Sequence, residues 1–425
     1  MVQQKLVSSE KTKNENNFYQ DEPQLRFREF SEPFKEVLLG DISSNGMYGM
    51  NCAGKEFDGE NKYIRITDID ENSHNFVPNP LSSPDGGLED KFLLKENDIV
   101  FARTGASTGK SYLYDKNDGK LYFAGFLIKL EITNAYAPFV YYNTLRENYN
   151  NWVSIMSVRS GQPGINLEEY KKFKINLPSL EEQKKIASFL SVVDKKIELL
   201  EKKYQKVSLL KDYYYSEIFN ILTLDTLKIE YRELSLEEIV TKFSTGLNPR
   251  KNFKLNDGGS NFYVTIKNFE NGLLNLDEKC DKIDDNALNL INKRSDLKKD
   301  DLIFASIGRV GEVYLIKEDP VNWNINESVF SLRGDKNKVN PKFLYCLMKS
   351  KRVQHYFDIH ITGSTFKSIK MKDLRKTPIT LPCDISEQEY IADFLLKFEK
   401  KCYLMERQIK GFNQFKKGLL QKMFI

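Results

Sequence analysis

Three stretches of this chain carry residue types and spacings that could do chemistry. Gly105-Ala106-Ser107-Thr108-Gly109-Lys110-Ser111 sets a lysine and hydroxyls behind paired glycines, the composition of a loop that cradles phosphate. A nucleotide-binding P-loop needs four residues between its glycines, whereas here there are three. An NTPase site is one reading of the loop, and a glycine turn between two strands is another. A third is a turn whose amides, with Arg103 and Lys110, approach a nucleic-acid phosphate. The other two stretches are basic. Arg159 precedes the pliable loop Ser160-Gly161-Gln162-Pro163-Gly164, which Lys171, Lys172 and Lys174 follow. Gly363-Ser364-Thr365-Phe366 leads into Lys367, Lys370, Lys372, Arg375 and Lys376. A charge run is commonly a solvated face, and beside a Gly/Ser loop it also suits contact with phosphate.

Other chemistries find little to stand on. A self-sufficient DNA methyltransferase needs an Asn/Asp-Pro-Pro-aromatic loop to hold a flipped base, but Asn79-Pro80 is followed by Leu81. Cys52, Cys280, Cys346, Cys383 and Cys402 are odd in number, lack any CxxC pair, and suggest neither a disulfide framework nor a zinc site. His74, His355 and His360 are too scattered to form a ligand set. With 64 Lys and Arg against 60 Asp and Glu, the net charge of +4 is only mildly basic and does not by itself argue for nucleic acid. The N-terminus lacks the apolar core of a signal peptide and no apolar run reaches ~18 residues, so a cytoplasmic protein without a membrane anchor is expected.

The elements that must position these loops come in two copies. FKEVLLGDI from Phe34 answers to YRELSLEEI from Tyr231, KYIRITDI from Lys62 to FYVTIKNF from Phe262, and LKENDIVFARTG from Leu94 to LKKDDLIFASIG from Leu297. LPSLEEQKKIASFL from Leu177 answers to LPCDISEQEYIADFL from Leu381. The order never changes and the offset drifts slowly around roughly 200 residues, as a duplication with loop insertions requires. In the second copy the glycine loop reads Gly308-Arg309-Val310-Gly311-Glu312, without the lysine. Each half carries short β-branched and aromatic runs bounded by Gly, Asn and Asp, which predict strands, and one stretch of helical periodicity, Phe139 to Met156 and Pro341 to Asp358.

Each copy ends in a long amphipathic pattern. Ile186, Leu190, Val193, Ile197, Leu200, Tyr204 and Val207, then Tyr214 and Ile218, recur at 3-4 spacing, interrupted by Lys211. The second copy runs Ile391, Leu395, Phe398, Cys402, Met405, Ile409, Phe412, Leu419 and Met423, interrupted by Lys416. A seam of this length predicts coiled coil, with Ser179 and Ser386 near the helix starts as N-cap candidates. Ile186 to Ile218 alone covers roughly 48 Å at ~1.5 Å per residue. Antiparallel pairing of the two helices would make them a spacer between two domains.

Taken together, PQLRFREF (from Pro23), LGDI (from Leu39), FARTGASTGK (from Phe101), SGQPGIN (from Ser160) and LPSLEEQKKIASFLSVVDKKIELL (from Leu177) resemble the specificity subunit of type I restriction-modification systems. The twice-present proline-x-x-x-Glu-Gln-x-x-Ile-Ala entry to a long helix is the most specific element. The resemblance implies an α+β fold: two similar mixed α/β target recognition domains, over 23–178 and 223–382, separated by an antiparallel pair of long coiled-coil helices, over 179–222 and 383–425, with pseudo-twofold internal repetition. Residues 1–22 would be a flexible tail. It further implies a non-catalytic chain that reads a split double-stranded DNA target and docks two methyltransferase subunits and, through them, restriction subunits. S-adenosylmethionine, ATP and Mg would serve those partners, which carry adenine-N6 methylation and ATP-dependent cleavage, and no cofactor is expected in this chain. Arg103, Lys110, Arg159, Arg309, Lys367 and Lys370 are the candidate DNA contacts. Since Ser306-Ile307-Gly308 stands where the first copy has Arg103-Thr104-Gly105, Arg103 cannot do something both halves require. The rival readings are a coiled-coil scaffold that never touches DNA and an NTPase using Gly105–Ser111.

Overall fold

The structure, a computed structural model, describes residues 6–8, 22–221, 230–256, 258–270, 272–364 and 366–425. Most of the expected tail 1–22, the expected start of the second domain at 223, and Thr365 therefore lie outside the described residues. Two compact units are present, one of residues 1–201 and 408–425, the other of 202–407.

In the first unit, β1 (Ser43–Tyr48), β2 (Asp98–Ala102), β3 (Ser111–Leu113) and β4 (Leu127–Ile132) form an antiparallel sheet in the order β1-β4-β2-β3. In the second, β5 (Val240–Thr245), β6 (Leu302–Ala305), β7 (Val313–Leu315) and β8 (Val329–Gly334) repeat that order as β5-β8-β6-β7. A short parallel pair accompanies each sheet, Lys62–Ile64 with Leu121–Phe123 and Asn261–Val264 with Trp323–Ile325. The inner strands β2 and β6 are buried throughout, because successive side chains feed opposite faces. Ile99 and Phe101 enter one apolar cluster while Val100 and Ala102 enter another. The helical stretch expected from Phe139 to Met156 is two helices, Ala137–Asn143 and Glu147–Met156, and its counterpart is Pro341–Met348 and Lys351–His360. The break is the same in both halves, so it belongs to the fold rather than to one sequence.

The long helices are α1 (Leu180–Ile221, 42 residues) and α2 (Ile385–Lys422, 38 residues). Ser179 caps α1, its Oγ accepting from the Glu182 amide at 3.4 Å. For α2 the expected Ser386 is not the cap: Asp384 is, accepting from the Ser386 amide at 2.7 Å, because the inserted residue follows Pro382 and Asp384 stands four residues ahead of Gln388, as Ser179 does ahead of Gln183. The recurrent glutamine explains the shared entry motif. Buried Gln183 donates to the Pro178 carbonyl at 2.9 Å and accepts from the Tyr136 amide at 2.9 Å, just ahead of the helix Ala137–Asn143. Gln388 donates to the Pro382 and Lys338 carbonyls and accepts from the amide of Asn340, which caps the helix Pro341–Met348. Each glutamine thus fastens a long helix to a helix of its own domain. Glu182 is also fully buried and pairs with Arg26 at 2.8 Å.

Within the first unit Ile186, Leu190, Val193 and Ile197 pack with Phe412, Leu419 and Met423, and Leu200 is buried as well. Within the second, Tyr204 and Val207 pack with Phe398, Cys402 and Met405, while Leu395 and Ile391 join the domain core. In both units early residues of one helix meet late residues of the other, an antiparallel arrangement; Ile409 is half-buried. The lysine at position 416 is not a defect in the seam, since it meets Asp194 at 2.7 Å. Toward its end α1 departs from the expected register: Tyr215 and Phe219 are buried while Tyr214 and Ile218 are only half-buried, and the close of α2 with the residues just after it does likewise, Leu420 and Phe424 being buried beside Leu419 and Met423. The last turns must face a domain as well as a helix. Phe424 stacks on Phe139 with centroids 5.0 Å apart, and Phe219 lies 5.9 Å from the equivalent Phe343. All five cysteines are free. Among the described residues no helix is long and apolar enough to cross a membrane.

Replacing Gln388 by Ala strips partners from the Asn340 amide and two carbonyls inside the fold. A loss of about 1–3 kcal/mol is expected, which thermal melting of the full chain would register as a clear downward shift, while Glu389→Ala on the exposed side of the same turn leaves melting within about 0.5 kcal/mol.

Candidate nucleic-acid interface

The glycine loop joins β2 to β3 as a hairpin turn, a strand-to-strand connection rather than the strand-to-helix connection a P-loop makes. Gly105 and Gly109 adopt φ of +75° and +93°, and Gly308 and Gly311 repeat them at +71° and +94°. A Cβ on Gly109 would come within 2.6 Å of Val153 Cγ1. Each turn is stitched to the pliable loop of its own half: the Gly105 amide donates to the Pro163 carbonyl at 2.9 Å, and the Gly308 amide to the Lys367 carbonyl at 2.8 Å. The Ile165 amide donates to the Arg103 carbonyl, as the Ile369 amide does to that of Ser306. The hairpin and the loop therefore form one surface in each unit, and the candidate residues of that half sit on or beside it.

Their charged ends fare differently. Lys110 Nζ is held by Glu71 at 3.0 Å and by the Ile69 carbonyl. Arg159 makes a two-pronged contact with Glu169, at 2.7 and 2.5 Å, and bonds the Met156 and Val158 carbonyls. Arg309 donates to the carbonyls of Ile266 and Phe269 and meets Glu312. These three cations hold their own domain together. Lys367 and Lys370 are exposed beside the loop 362–368, with no side-chain partner among the described residues. Arg103 donates Nε–H to the Gly125 carbonyl at 3.1 Å, while its guanidinium lies 5.0 Å from the Tyr48 ring and 6.0 Å from that of Phe126. Both rings reach solvent, Tyr48 at 41% and Phe126 at 58% exposure. Neither aromatic stands out in the sequence. The sign that marks them is the comparison of halves, where Thr245 and Ser328 hold the matching places.

His74 is half-buried with Nδ1 2.9 Å from the Ser111 carbonyl oxygen, and desolvation pushes its pKa below the ordinary value. It braces the strand behind the glycine loop. His360 similarly contacts the Tyr356 carbonyl in its own helix.

A family model described as the type I restriction modification DNA specificity domain matches residues 32–209 and again 228–411. Among known proteins, the chain is similar to a putative type I restriction enzyme MjaX specificity subunit of Methanocaldococcus jannaschii, 27% identical over 346 residues that cover 78% of each chain. The MjaVIII specificity subunit of the same organism is 22% identical over 362 residues, covering 78% of this chain and 79% of the other. The crystal structure of a type I restriction-modification S subunit from M. genitalium has the same fold, with a TM-score of 0.66 at 17% identity over 95% of this chain and 99% of that one.

If the glycines serve the backbone and Lys110 only a surface ion pair, their substitutions should separate cleanly. Gly109→Ala should cost more than about 1 kcal/mol through its positive φ and the contact with Val153. Lys110→Ala should cost less than about 1 kcal/mol, since Glu71 is largely exposed. Melting curves of the two variants check both values.

Proposed function

Because the chain belongs to the family of type I restriction modification DNA specificity domains, we propose that it is a non-catalytic DNA-reading subunit in which each half reads one part of a split double-stranded target. The observation that carries this is the double match of one domain model to two units of the same strand order, each opening its own long helix through a buried glutamine. Two methyltransferase subunits would dock on this chain, and restriction subunits would join through them. The chemistry of methylation and cleavage, with its S-adenosylmethionine, ATP and Mg, lies in those partners. An NTPase reading is disfavoured by the hairpin geometry of Gly105–Ser111 and by the engagement of Lys110 with Glu71. A scaffold that never touches DNA leaves the paired loop surfaces, with Lys367 and Lys370 exposed and the Nη groups of half-buried Arg103 unpaired among the described residues, without a use.

In this reading α1 and α2 set the gap between the two half-sequences. Both helices run through both units, so lengthening α1 alone would put its seam out of step with α2. Seven residues inserted after Lys203 together with seven after Arg407 preserve the heptad phase of each and add about 10 Å. At ~3.4 Å per base pair the non-specific gap should grow by about three base pairs while both half-sequences stay the same. Sequencing of methylated bases in cells expressing the variant with its methyltransferase checks this, and an active variant with an unchanged gap would reject the ruler.

Lys367 and Lys370 are assigned to phosphate. The double change to Ala should weaken binding about equally on cognate and unrelated duplexes and lower the salt slope by about one unit for each phosphate no longer neutralised. Titrations at several salt concentrations measure it, and an unchanged slope would make the pair an ordinary solvated face.

A further inference from the structure

The two halves share a backbone so closely that their side chains can be compared position by position. The Arg103 amide donates to the Phe126 carbonyl at 3.0 Å, and the Ser306 amide to the Ser328 carbonyl at the same distance. Tyr48 lies opposite Ile128 in the β1–β4 register, and Thr245 opposite Phe330 in the β5–β8 register. Tyr48, Arg103 and Phe126 thus occupy the places of Thr245, Ser306 and Ser328. One half presents a guanidinium beside two aromatic rings. The other presents three hydroxyls: that of Ser306 is buried and turned inward to the Ser328 carbonyl at 2.7 Å, and that of Thr245 accepts from Arg294, which comes from a helix rather than from the strand end, at 3.1 Å.

A residue that serves the common framework has to be met in both halves, as the turn glycines and the clamp glutamines are. Arg103 is not, although its backbone bonds are. Its side chain is nevertheless placed: Nε–H is tied to Gly125, the guanidinium lies within 6.0 Å of two ring centroids, and the Nη groups have no hydrogen-bond partner among the described residues. A planar donor fork, held at Nε and with its Nη groups unpaired among the described residues, matches the O6 and N7 acceptors of guanine in the major groove. A phosphate contact makes no demand for such orientation; a pliable lysine suffices. We propose that Arg103, tied at Nε to Gly125 and flanked by Tyr48 and Phe126, reads a guanine in the half-sequence assigned to the first domain, and that the second domain, with Ser306 at the equivalent place, does not read its half-sequence from that position.

The proposal rests on the DNA-reading function above, and the test separates the two. Purified complex of the full chain with its methyltransferase is used to select from a pool of randomised duplexes, with wild type, Arg103→Lys and Arg103→Ala in parallel. Arg103→Lys keeps the charge and removes the planar fork, so it also answers for the case in which Arg103→Ala loosens the turn. Both variants should lose preference for one G·C pair in one half-sequence by about tenfold or more, with the second half-sequence and the gap unchanged. Arg103→Lys should keep the wild-type salt slope. Variants that retain the whole target but bind every duplex more weakly would make Arg103 a phosphate contact and overturn the proposal. So would variants with unaltered selection, which would make it a brace for the Gly125 turn. A wild-type complex that selects no sequence at all would instead remove the DNA-reading function itself.

Discussion

The structure hangs on a buried amide at the entry of each long helix. Gln183 and Gln388 lie almost wholly out of solvent, where an unsatisfied amide costs roughly 1–3 kcal/mol. Both are satisfied by main-chain groups: the carbonyl of the proline that ends the preceding strand segment, and the amide at the threshold of the domain's next helix. Main-chain partners cannot be exchanged by mutation, and two such bonds at Gln183 and three at Gln388 leave the helix axis little freedom. The direction in which each long helix leaves its domain is therefore set by hydrogen bonding rather than by apolar packing, which is tolerant of sliding.

Sliding is opposed again at the far end. Each domain receives the closing turns of a long helix through an aromatic pair, Phe139 with Phe424 and Phe343 with Phe219. Beside these, an acid on a long helix accepts from tyrosines: Tyr142 bonds Asp194, while Tyr345 and Tyr215 bond Glu399. Lys416 and Lys349 balance those acids. A pure heptad seam could slip by one repeat at small cost, but polar contacts at fixed heights along it make one register much better than its neighbours. That is the property a spacer needs.

Much of this is legible in the sequence. The repeat, the strand runs, the two long helices and most of the buried seam follow from order and periodicity, which are local quantities. The departures have a common physical origin. Periodicity carries Phe139 to Met156 across a break that only tertiary packing imposes, and it keeps Tyr214 and Ile218 in register where the helix must serve two faces. Ser386 is a cap type near the helix start, yet the residue inserted after Pro382 makes Asp384, not Ser386, the counterpart of Ser179. The candidate cations are the least legible. Lys110 meets Glu71 and Arg309 meets the carbonyls of Ile266 and Phe269, partners some forty residues away in loops whose course no pattern predicts. Tyr48 and Phe126 come to Arg103 only through the strand register.

Duplication also distinguishes what holds a domain from what a domain is for. After two copies of a fold diverge, positions fixed by backbone geometry stay the same in both, because the cost of losing them is equal in both. The four positive-φ turn glycines and the two clamp glutamines behave in this way. Positions whose side chains face outward carry no such shared cost, and they separate according to what each copy meets. Lys110 and Glu312 illustrate the difference, being opposite in charge where the hydrogen bonds of the Ala102 and Ala305 amides make them equivalent. Each pairs within its own half, Lys110 with Glu71 and Glu312 with Arg309, so the reversal is compensated locally and changes nothing in the frame. The exchange of Tyr48, Arg103 and Phe126 for Thr245, Ser306 and Ser328 is of another kind. It leaves a half-buried arginine beside two solvent-reaching aromatic rings in the first half, and hydroxyls, one of them bonded by Arg294, in the second. The shared frame does not require this difference, and no single ion pair within each half accounts for it, which sets it apart from the reversal at Lys110 and Glu312.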